Sequence, residues 1–260
     1  MDLGLKGRKA IVCASSRGLG KACALALARE GCAVVINGLT EERLAKAADE
    51  IRTATGAAVT AVRADINTDD GRARLVAACP DADILVNNNA GPPPGKFEDW
   101  GRAEWLAALE ANMLSAIFLI KALLPGMRAR RFGRIVNITS AMTKSPRNPD
   151  LGLSSTARTG LMALSKSLSR AVAVDNVTIN NLLPERIDTD RQRFMAERIM
   201  KAKGVTMEEA RRQIADTLPA KRFGRPEEFG DACAFLCSAQ AGFITGQNLQ
   251  LDGGGYEGLV

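Results

Sequence analysis

Residues 14–20 read Ala-Ser-Ser-Arg-Gly-Leu-Gly, and this run decides the predicted fold. It lies between an apolar run at 9–13 and an alanine-rich run with helical spacing at 21–30. Gly18 and Gly20 allow close backbone approach, and the N-terminus of the following helix presents free amides to a phosphate group. Two glycines in a tight turn are a weak signal by themselves. Their position directly after a first strand makes them a strong indication of a pyrophosphate-binding loop.

Beyond this loop, short β-branched runs alternate with longer Ala- and Leu-rich runs along the chain, which is typical of βαβ units around a parallel sheet. A length of 260 residues suits one domain of this kind. We therefore predict a single-domain α/β protein over residues 1–260, with a doubly wound parallel sheet (Rossmann fold) in a three-layer αβα arrangement. Strands are expected at 9–13, 33–37, 58–63, 84–87, 134–138, 178–183 and 248–251. Helices are expected at 21–30, 41–53, 70–78, 103–127, 154–174 and 229–238.

A charged segment at 188–218 follows the sixth predicted strand. It lies at the carboxyl edge of the sheet, where open α/β sheets bind their ligands. We predict that the segment is helical and interpret it as a lid over a small-molecule substrate. The alternative is an ordinary solvated helical hairpin.

The composition excludes several classes of chemistry. The chain contains no histidine, which excludes His-based triads, His proton relays and most zinc catalysis. Its six cysteines lie mostly among apolar residues and lack the paired spacing of a metal site, so we expect reduced, structural thiols and no metal. These cysteines are Cys13, Cys23, Cys32, Cys79, Cys233 and Cys237.

The charge pattern gives no indication of a nucleic-acid or membrane partner. Lys and Arg number 35 against 29 Asp and Glu, and the basic residues cluster only at Arg128, Arg130, Arg131 and Arg134. We interpret this cluster as a solvated helix end, where cations complement the helix dipole. No signal peptide pattern begins the sequence, and no apolar run approaches the ~18 residues that a membrane span needs. A cytoplasmic location is therefore expected.

Further motifs resemble those of the short-chain dehydrogenase/reductase family. The loop at 14–20 with the following Lys21 is similar to the family's cofactor loop, and the turn at 88–91 is similar to its Asn-Asn-Ala-Gly turn. Asp65 matches an adenine-contacting Asp, and Asn112 matches an Asn on a central helix. The likeness extends over nearly the whole chain. Other matching segments are 137–140, which ends in the catalytic Ser, 184–189, which closes over the nicotinamide, and 252–254.

The resemblance implies a nicotinamide dinucleotide as cofactor. Two residues of the cofactor-binding segments depart from the family pattern: Ala14 replaces the first glycine of the loop, and Glu185 replaces the glycine that usually follows Pro184. The residues assigned to the cofactor are Ala14, Ser15, Ser16, Arg17, Gly18, Leu19, Gly20, Asp65, Ile66, Asn88, Asn89, Ala90, Gly91, Pro184, Ile187 and Thr189.

The end of the second strand favours NADP over NAD. A carboxylate there would bond the ribose hydroxyls of NAD and repel a 2′-phosphate, but the tip reads Asn37, Gly38 and Leu39. Arg17 offers a charge-assisted bond to the 2′-phosphate. NAD is the alternative cofactor, and an exposed loop residue is the alternative interpretation of Arg17.

The resemblance implies a catalytic Tyr and Lys one helical turn apart, and this chain lacks that pair. Its single tyrosine is Tyr256, four residues before Val260. Aligning the Gly and Leu at 160–161 with the family pattern places Ser154 at the Tyr position and Arg158 at the Lys position. A register shifted by one residue gives 153 and 157 instead, which are a chemically inert Leu and Ala.

The substituted pair changes the chemistry that we expect. A serine hydroxyl is a far weaker acid than a phenol, and an arginine stays charged, so direct proton transfer of the family type should fail. Arg158 could instead stabilise an alkoxide by its charge. Lys144 and Glu185 are additional candidates, with a solvated loop lysine as the alternative for Lys144. The predicted catalytic set is Ser140, Ser154, Arg158 and Asn112.

Three functional hypotheses follow. The first is an NADP-linked oxidoreductase of a small carbonyl or alcohol, in a divergent branch that resembles the 3-oxoacyl-[acyl-carrier-protein] reductases. The second is a non-catalytic NADP-binding protein that serves as a redox sensor or partner subunit. Other chemistry on the same scaffold, such as water addition, is the third. A homodimer or homotetramer is expected if Leu114, Ile117 and Leu124 form an exposed apolar face.

Overall fold

The central sheet places the strand ends that form the site. In the computed structural model, which describes residues 1–259, seven parallel strands lie in the order β3-β2-β1-β4-β5-β6-β7. The strand order reverses between β1 and β4, so the crevice for a ligand opens at the carboxyl ends of these two strands. The strands are β1 (Lys9–Val12), β2 (Ala33–Gly38), β3 (Val59–Arg63), β4 (Ile84–Asn87), β5 (Gly133–Ile138), β6 (Val177–Pro184) and β7 (Asn248–Leu251).

Helices cover both faces of the sheet, so the predicted doubly wound, three-layer fold is confirmed. One apolar core joins a sheet face to α1, α2 and α9, and the other joins the opposite face to α3, α5 and α6. The helices are α1 (Gly18–Arg29), α2 (Glu41–Thr55), α3 (Asp69–Ala77), α4 (Arg102–Leu109), α5 (Ser115–Ala129), α6 (Gly152–Val172), α7 (Asp190–Lys203), α8 (Met207–Ala215) and α9 (Pro226–Cys237).

The long helix predicted at 103–127 is interrupted. A π-helical turn at Glu110–Leu114 separates α4 from α5, and Asn112 lies buried within it. Such turns are often found at functional sites because the wider backbone redirects a side chain. The helical periodicity of the sequence continues through the turn, so it gave no sign of the interruption.

The segment predicted at 188–218 is helical, as α7 and α8. These helices pack on each other through a small apolar cluster that includes Ala196, Ala210 and Ile214. Asp188 accepts two hydrogen bonds from Arg211, at 3.1 and 2.8 Å, which ties the start of the segment to α8. The lid function of this segment stays a prediction.

Arg134 was assigned to a solvated helix end, and this assignment is wrong. The side chain is 2% exposed, and its guanidinium donates to the backbone oxygens of Gly133, Asn176 and Ser238 at 2.9 to 3.1 Å. Arg134 therefore joins β5 to the ends of α6 and α9. Arg128, Arg130 and Arg131 are exposed, as expected.

One helical stretch of the described residues, Arg102–Ala129, is long and apolar enough to cross a membrane by length and composition alone. The expectation that no apolar run approaches that length is therefore wrong. Leu119, Ile120 and Leu123 on α5 are buried against the sheet. This part of the stretch therefore packs as a core helix.

The six cysteines are free and buried, as expected. Burial raises the pKa of Cys13 and of Cys32 from 9.0 to about 12, and the pKa of Cys79 to about 11. Because the thiolate is the reactive form, these shifts suppress reactivity at pH 8. We expect Ellman's reagent to modify the native protein at least ~100-fold more slowly than the unfolded chain. Rapid modification of one native cysteine, located by mass spectrometry, would contradict the burial at that position.

Candidate active site

The phosphate loop follows β1 and is held against the end of β2. The hydroxyl of Ser15 donates to the Val12 carbonyl at 2.6 Å and accepts from the Asn37 amide at 3.0 Å. Ala14 has a φ of 44°, a conformation that favours glycine, and its amide donates to the Asn37 side chain at 3.2 Å. The replacement of the family glycine by Ala14 is therefore accommodated with some backbone strain.

Gly20 lies where the loop enters α1 and has no room for a side chain. A Cβ there would lie 2.5 Å from the Ala14 carbonyl oxygen and 2.9 Å from the Asn88 side-chain nitrogen. That nitrogen donates to the Ala14 carbonyl at 3.1 Å. The loop after β1 and the turn after β4 are therefore fixed to each other at the point where the strand order reverses.

Asn37 at the end of β2 has a structural role. It is buried, and its side chain donates to the carbonyls of Val62 and Ala64 at 3.2 and 2.9 Å. Leu39 is 63% exposed and presents no charge at the strand end. The tip of β2 therefore carries no carboxylate that would repel a 2′-phosphate.

Arg17 reaches across the loop to the start of α7. Its guanidinium lies 3.1 Å from the Asp190 carboxylate, and both side chains are more than half exposed. An exposed ion pair of this kind is weak, so a phosphate could displace Asp190 at little cost. The pair also joins the phosphate loop to the segment interpreted as a lid.

The turn at 88–91 is held from behind by the π-helical turn. Asn112 donates to the Ala90 carbonyl at 2.8 Å, and Asn89 donates to the Ala111 carbonyl at 3.1 Å. Asp65 is exposed just beyond β3, whereas the following Ile66 is buried. Asn112 therefore positions the turn on which a nicotinamide ring would rest.

A large cleft of about 1260 Å³ opens along the carboxyl ends of the strands. Predicted site residues that line it are Ala14, Arg17, Gly18, Leu19, Asn88, Asn89, Ala90, Gly91, Ser140, Ser154, Arg158, Pro184, Ile187 and Thr189. Six predicted residues are not among those that line the cleft: Ser15, Ser16, Gly20, Asp65, Ile66 and Asn112.

Asn112 and Ile66 face a separate cavity of about 20 Å³ behind the cleft. Arg158 lines both spaces, whereas Ser140 lines the cleft alone. Ser140, Asn112 and Arg158 therefore do not all line one space. Arg158 and Ser140 share the substrate side, and Arg158 and Asn112 share the small cavity behind it.

Ser154 and Arg158 occupy one face of α6, as the alignment predicted. Arg158 donates to the Ser154 hydroxyl, and the guanidinium packs on Gly91, where a Cβ would lie 3.3 Å from its nitrogens. The alternative register does not reach the cleft, because Leu153 and Ala157 are 3% and 0% exposed in the core. The Ser and Arg pair therefore faces the position that a substrate would occupy.

The environment of Arg158 is unusual for a charged group. Burial, reinforced by the charge of Arg191, lowers the pKa of Arg158 from 12.5 to about 10. The guanidinium is still protonated at neutral pH. Among residues 1–259, the guanidinium of Arg158 donates to the neutral hydroxyl of Ser154 and pairs with no carboxylate.

Glu185 and Lys144 are engaged with other residues. Glu185 accepts two hydrogen bonds from Arg147, at 2.9 and 2.8 Å, so its charge in the cleft is neutralised. The Lys144 ammonium lies 4.6 Å from the centre of the Tyr256 ring. Lys144 is half-buried in its loop and is not among the residues that line the cleft.

Sequence reasoning missed the cations that α7 contributes to the cleft. Arg191 and Arg198 line it, together with the apolar Met195 and Ile199 on the same side of the helix. The two arginines are seven residues apart and the two apolar residues are four apart, so the sequence already placed all four on one helix face. The many other charges of the segment obscured this pattern. The C-terminal Val260, named in the argument about Tyr256, lies outside the described residues.

The doubly wound sheet, the phosphate loop and the asparagine turn together define the class of dinucleotide-binding oxidoreductase folds. Within that class, the chain belongs to the short-chain dehydrogenase/reductase family. The family model described as "Enoyl-(Acyl carrier protein) reductase" matches residues 13–256.

Full-length relatives and solved structures agree with this assignment. The chain is 34% identical to the uncharacterized oxidoreductase YvaG of Bacillus subtilis, over 98% of each chain. It is 30% identical to the 3-oxoacyl-[acyl-carrier-protein] reductase FabG of Aquifex aeolicus, over 98% of this chain and 99% of that one. A crystal structure of L-sorbose reductase from Gluconobacter frateurii, complexed with NADPH and L-sorbose, superposes with a TM-score of 0.94 at 31% identity, over 100% of both chains.

Proposed function

We propose that this protein is an NADP(H)-dependent oxidoreductase of a small carbonyl or alcohol, with Ser154 and Arg158 in place of the family's Tyr and Lys. The observation that carries this proposal is the charged Arg158, which packs on the turn at 88–91 and faces the cleft beside Ser140. The nicotinamide, when bound, supplies or accepts the hydride.

The chain's residues fit such a cofactor. The amides at the start of α1 and the cradle at Gly20, which a Cβ would fill, suit a pyrophosphate. Ala90 and Gly91 would support the nicotinamide, and Thr189 would hold it from the opposite side. Within residues 1–259, no group of three or more His, Cys, Asp or Glu side chains could hold a metal ion.

The protein's contribution to the reaction is electrostatic. As negative charge develops on the carbonyl oxygen, Arg158 stabilises it from a fixed position on α6. Ser140 and Ser154 would donate hydrogen bonds to the same oxygen. Neither hydroxyl is acidic enough to give up its proton at neutral pH, so the proton comes from solvent.

The cofactor preference can be tested directly. We expect calorimetry to give NADPH a dissociation constant at least ~10-fold below that of NADH, because Arg17 can form a charge-assisted bond to the 2′-phosphate. Arg17→Gln should abolish the preference and leave NADH affinity unchanged. Equal binding of both cofactors to the native protein would refute the role of Arg17, and binding of neither would refute the proposed function.

The alternative function is a non-catalytic NADP-binding redox sensor or partner subunit. The observation that favours it is the serine at position 154, which removes the acid that drives turnover in the family. Screening small carbonyl compounds for NADPH oxidation distinguishes the two functions. Activity that is lost in Ser154→Ala and Arg158→Ala supports the enzyme, whereas cofactor binding without turnover supports the sensor.

We also propose a cytoplasmic homodimer or homotetramer, with no nucleic-acid or membrane partner. Leu114, Ile117 and Leu124 are half-buried and do not form the exposed apolar face that was expected, but Phe118 on α5 is 40% exposed and offers an apolar contact to a second copy. We expect Phe118→Glu to shift the native mass, measured by light scattering, towards the monomer. A native protein that is already monomeric would refute this assembly.

A further inference from the structure

The side chains that line the cleft carry a net positive charge. Seven cationic side chains line it, against three carboxylates, Asp150, Glu185 and Asp190. Two of these carboxylates pair with Arg147 and Arg17, at 2.8 and 3.1 Å. The other cationic side chains that line the cleft are Arg158, Arg186, Arg191, Arg198 and Lys203.

Arg158 is half-buried between the cleft and the small cavity behind it, and no carboxylate pairs with it within the described residues. Buried charges in proteins are normally paired, because an isolated ion loses its hydration. Within the described residues, the charge that acts on Arg158 comes from another cation, Arg191. Such an arrangement costs stability in the free protein and is relieved by an anion in the cleft.

Arg191 occupies an electrostatically unfavourable position in its helix. It lies in the first turn of α7, where a cation opposes the helix dipole. It is exposed, lines the cleft and makes no ion pair within the described part of the chain. An anion held in the cleft would balance the charges of Arg158 and Arg191.

We infer that the substrate is an oxo acid or hydroxy acid, whose carboxylate is bound by Arg158 together with Arg191. This inference rests on the proposed function, since it places the carboxylate next to the reacting carbonyl. The planar guanidinium of Arg158 presents several donors in a fixed fork, so it can contact a carboxylate and a neighbouring oxygen together. Met195 and Ile199 would cover the apolar part of the molecule.

Calorimetry on the NADP⁺-saturated protein tests this inference without turnover. The probes are 2-oxobutanoate, acetoacetate and levulinate, which place the carboxylate at increasing distance from the ketone. Each probe is compared with its neutral amide. At least one acid should bind about 30-fold more tightly than its amide, because charge-assisted hydrogen bonds form only with the acid.

Arginine variants locate the binding site. Arg158→Met and Arg191→Met should each reduce the preference for the acid to within about 3-fold of its amide. Arg193→Met is the matched control, since Arg193 is exposed on α7 but does not line the cleft, and it should leave the preference intact. Because Arg191 is exposed, its variant keeps the test valid even if Arg158→Met fails to fold.

Several outcomes would overturn the inference. The first is that no acid binds, and the second is that acids and amides bind equally. The third is that dihydroxyacetone phosphate binds more tightly than every acid, which would indicate a phosphate-bearing substrate. The proposed function fails separately, if NADP⁺ does not bind. In that case, acid binding by the cofactor-free protein still reports on the two arginines.

Discussion

The double variant Ser154→Tyr/Arg158→Lys is expected to reduce small carbonyl compounds about 10²–10⁴-fold faster than the native protein, the range that a positioned general acid contributes. Ser154 and Arg158 lie one turn apart on α6 and face the cleft, so a phenol and an ammonium introduced there meet the same substrate oxygen. The lysine would lower the pKa of the phenol and make it a usable acid near neutral pH. The measurement is kcat/KM for NADPH oxidation with a panel of ketones.

Two controls isolate the effect of geometry. Arg158→Lys alone supplies the cation without the acid and should show no gain. Ser155→Tyr/Arg158→Lys introduces the same two residues, but the phenol is moved by one position along α6. Ser155 is a suitable control because it also lines the cleft. If the first double variant folds, binds NADPH and gains nothing over these controls, Ser154 does not occupy the position of the family's acid.

Gly20→Ala should weaken NADPH binding by about 100-fold or more. The new Cβ would lie 2.5 Å from the Ala14 carbonyl oxygen, so the loop must move and break the contact between Ala14 and Asn88. A displaced loop loses at least two charge-assisted hydrogen bonds to the pyrophosphate, and their combined energy corresponds to about that change in affinity. Titration calorimetry, with circular dichroism to verify folding, measures the effect.

Gly126→Ala is the matched control for this substitution. Gly126 lies in α5, and a Cβ there would meet the end of the flexible Arg130 side chain at 3.0 Å. We expect unchanged NADPH affinity and a gain in stability of up to ~1 kcal/mol, since alanine is the better helix former. Equal NADPH affinity in Gly20→Ala and the native protein would mean that the loop does not bind the pyrophosphate.

The fold could be predicted from the sequence because local signals repeated along the chain. Six of the seven strands contain β-branched residues, whereas β7 has none, and the longer helices keep their period over several turns. Element ends moved by a few residues, as for α1, which begins at Gly18 instead of Lys21. The π-helical turn at Glu110–Leu114 escaped prediction, because it changes backbone hydrogen bonding without altering the apolar pattern.

The site could be predicted only as far as its backbone loops. Family motifs located the residues around Gly20, Ser140 and Arg158, and these regions do meet in the structure. Side-chain pairings between distant segments were not visible in the sequence. The burial of Arg134 depends on three backbone carbonyls from separate elements, and the role of Arg191 depends on how α7 lies over the cleft.

The pair between Glu185 and Arg147 restricts the order in which this chain could have diverged from its relatives. The Glu185 side chain is 11% exposed, whereas Arg147 is 49% exposed. An ancestor that acquired the glutamate first would have carried a nearly buried, unpaired carboxylate, which is costly. An ancestor that acquired the arginine first would have carried a half-exposed cation at little cost. By this cost alone, the path in which the arginine precedes the glutamate is the less destabilising one.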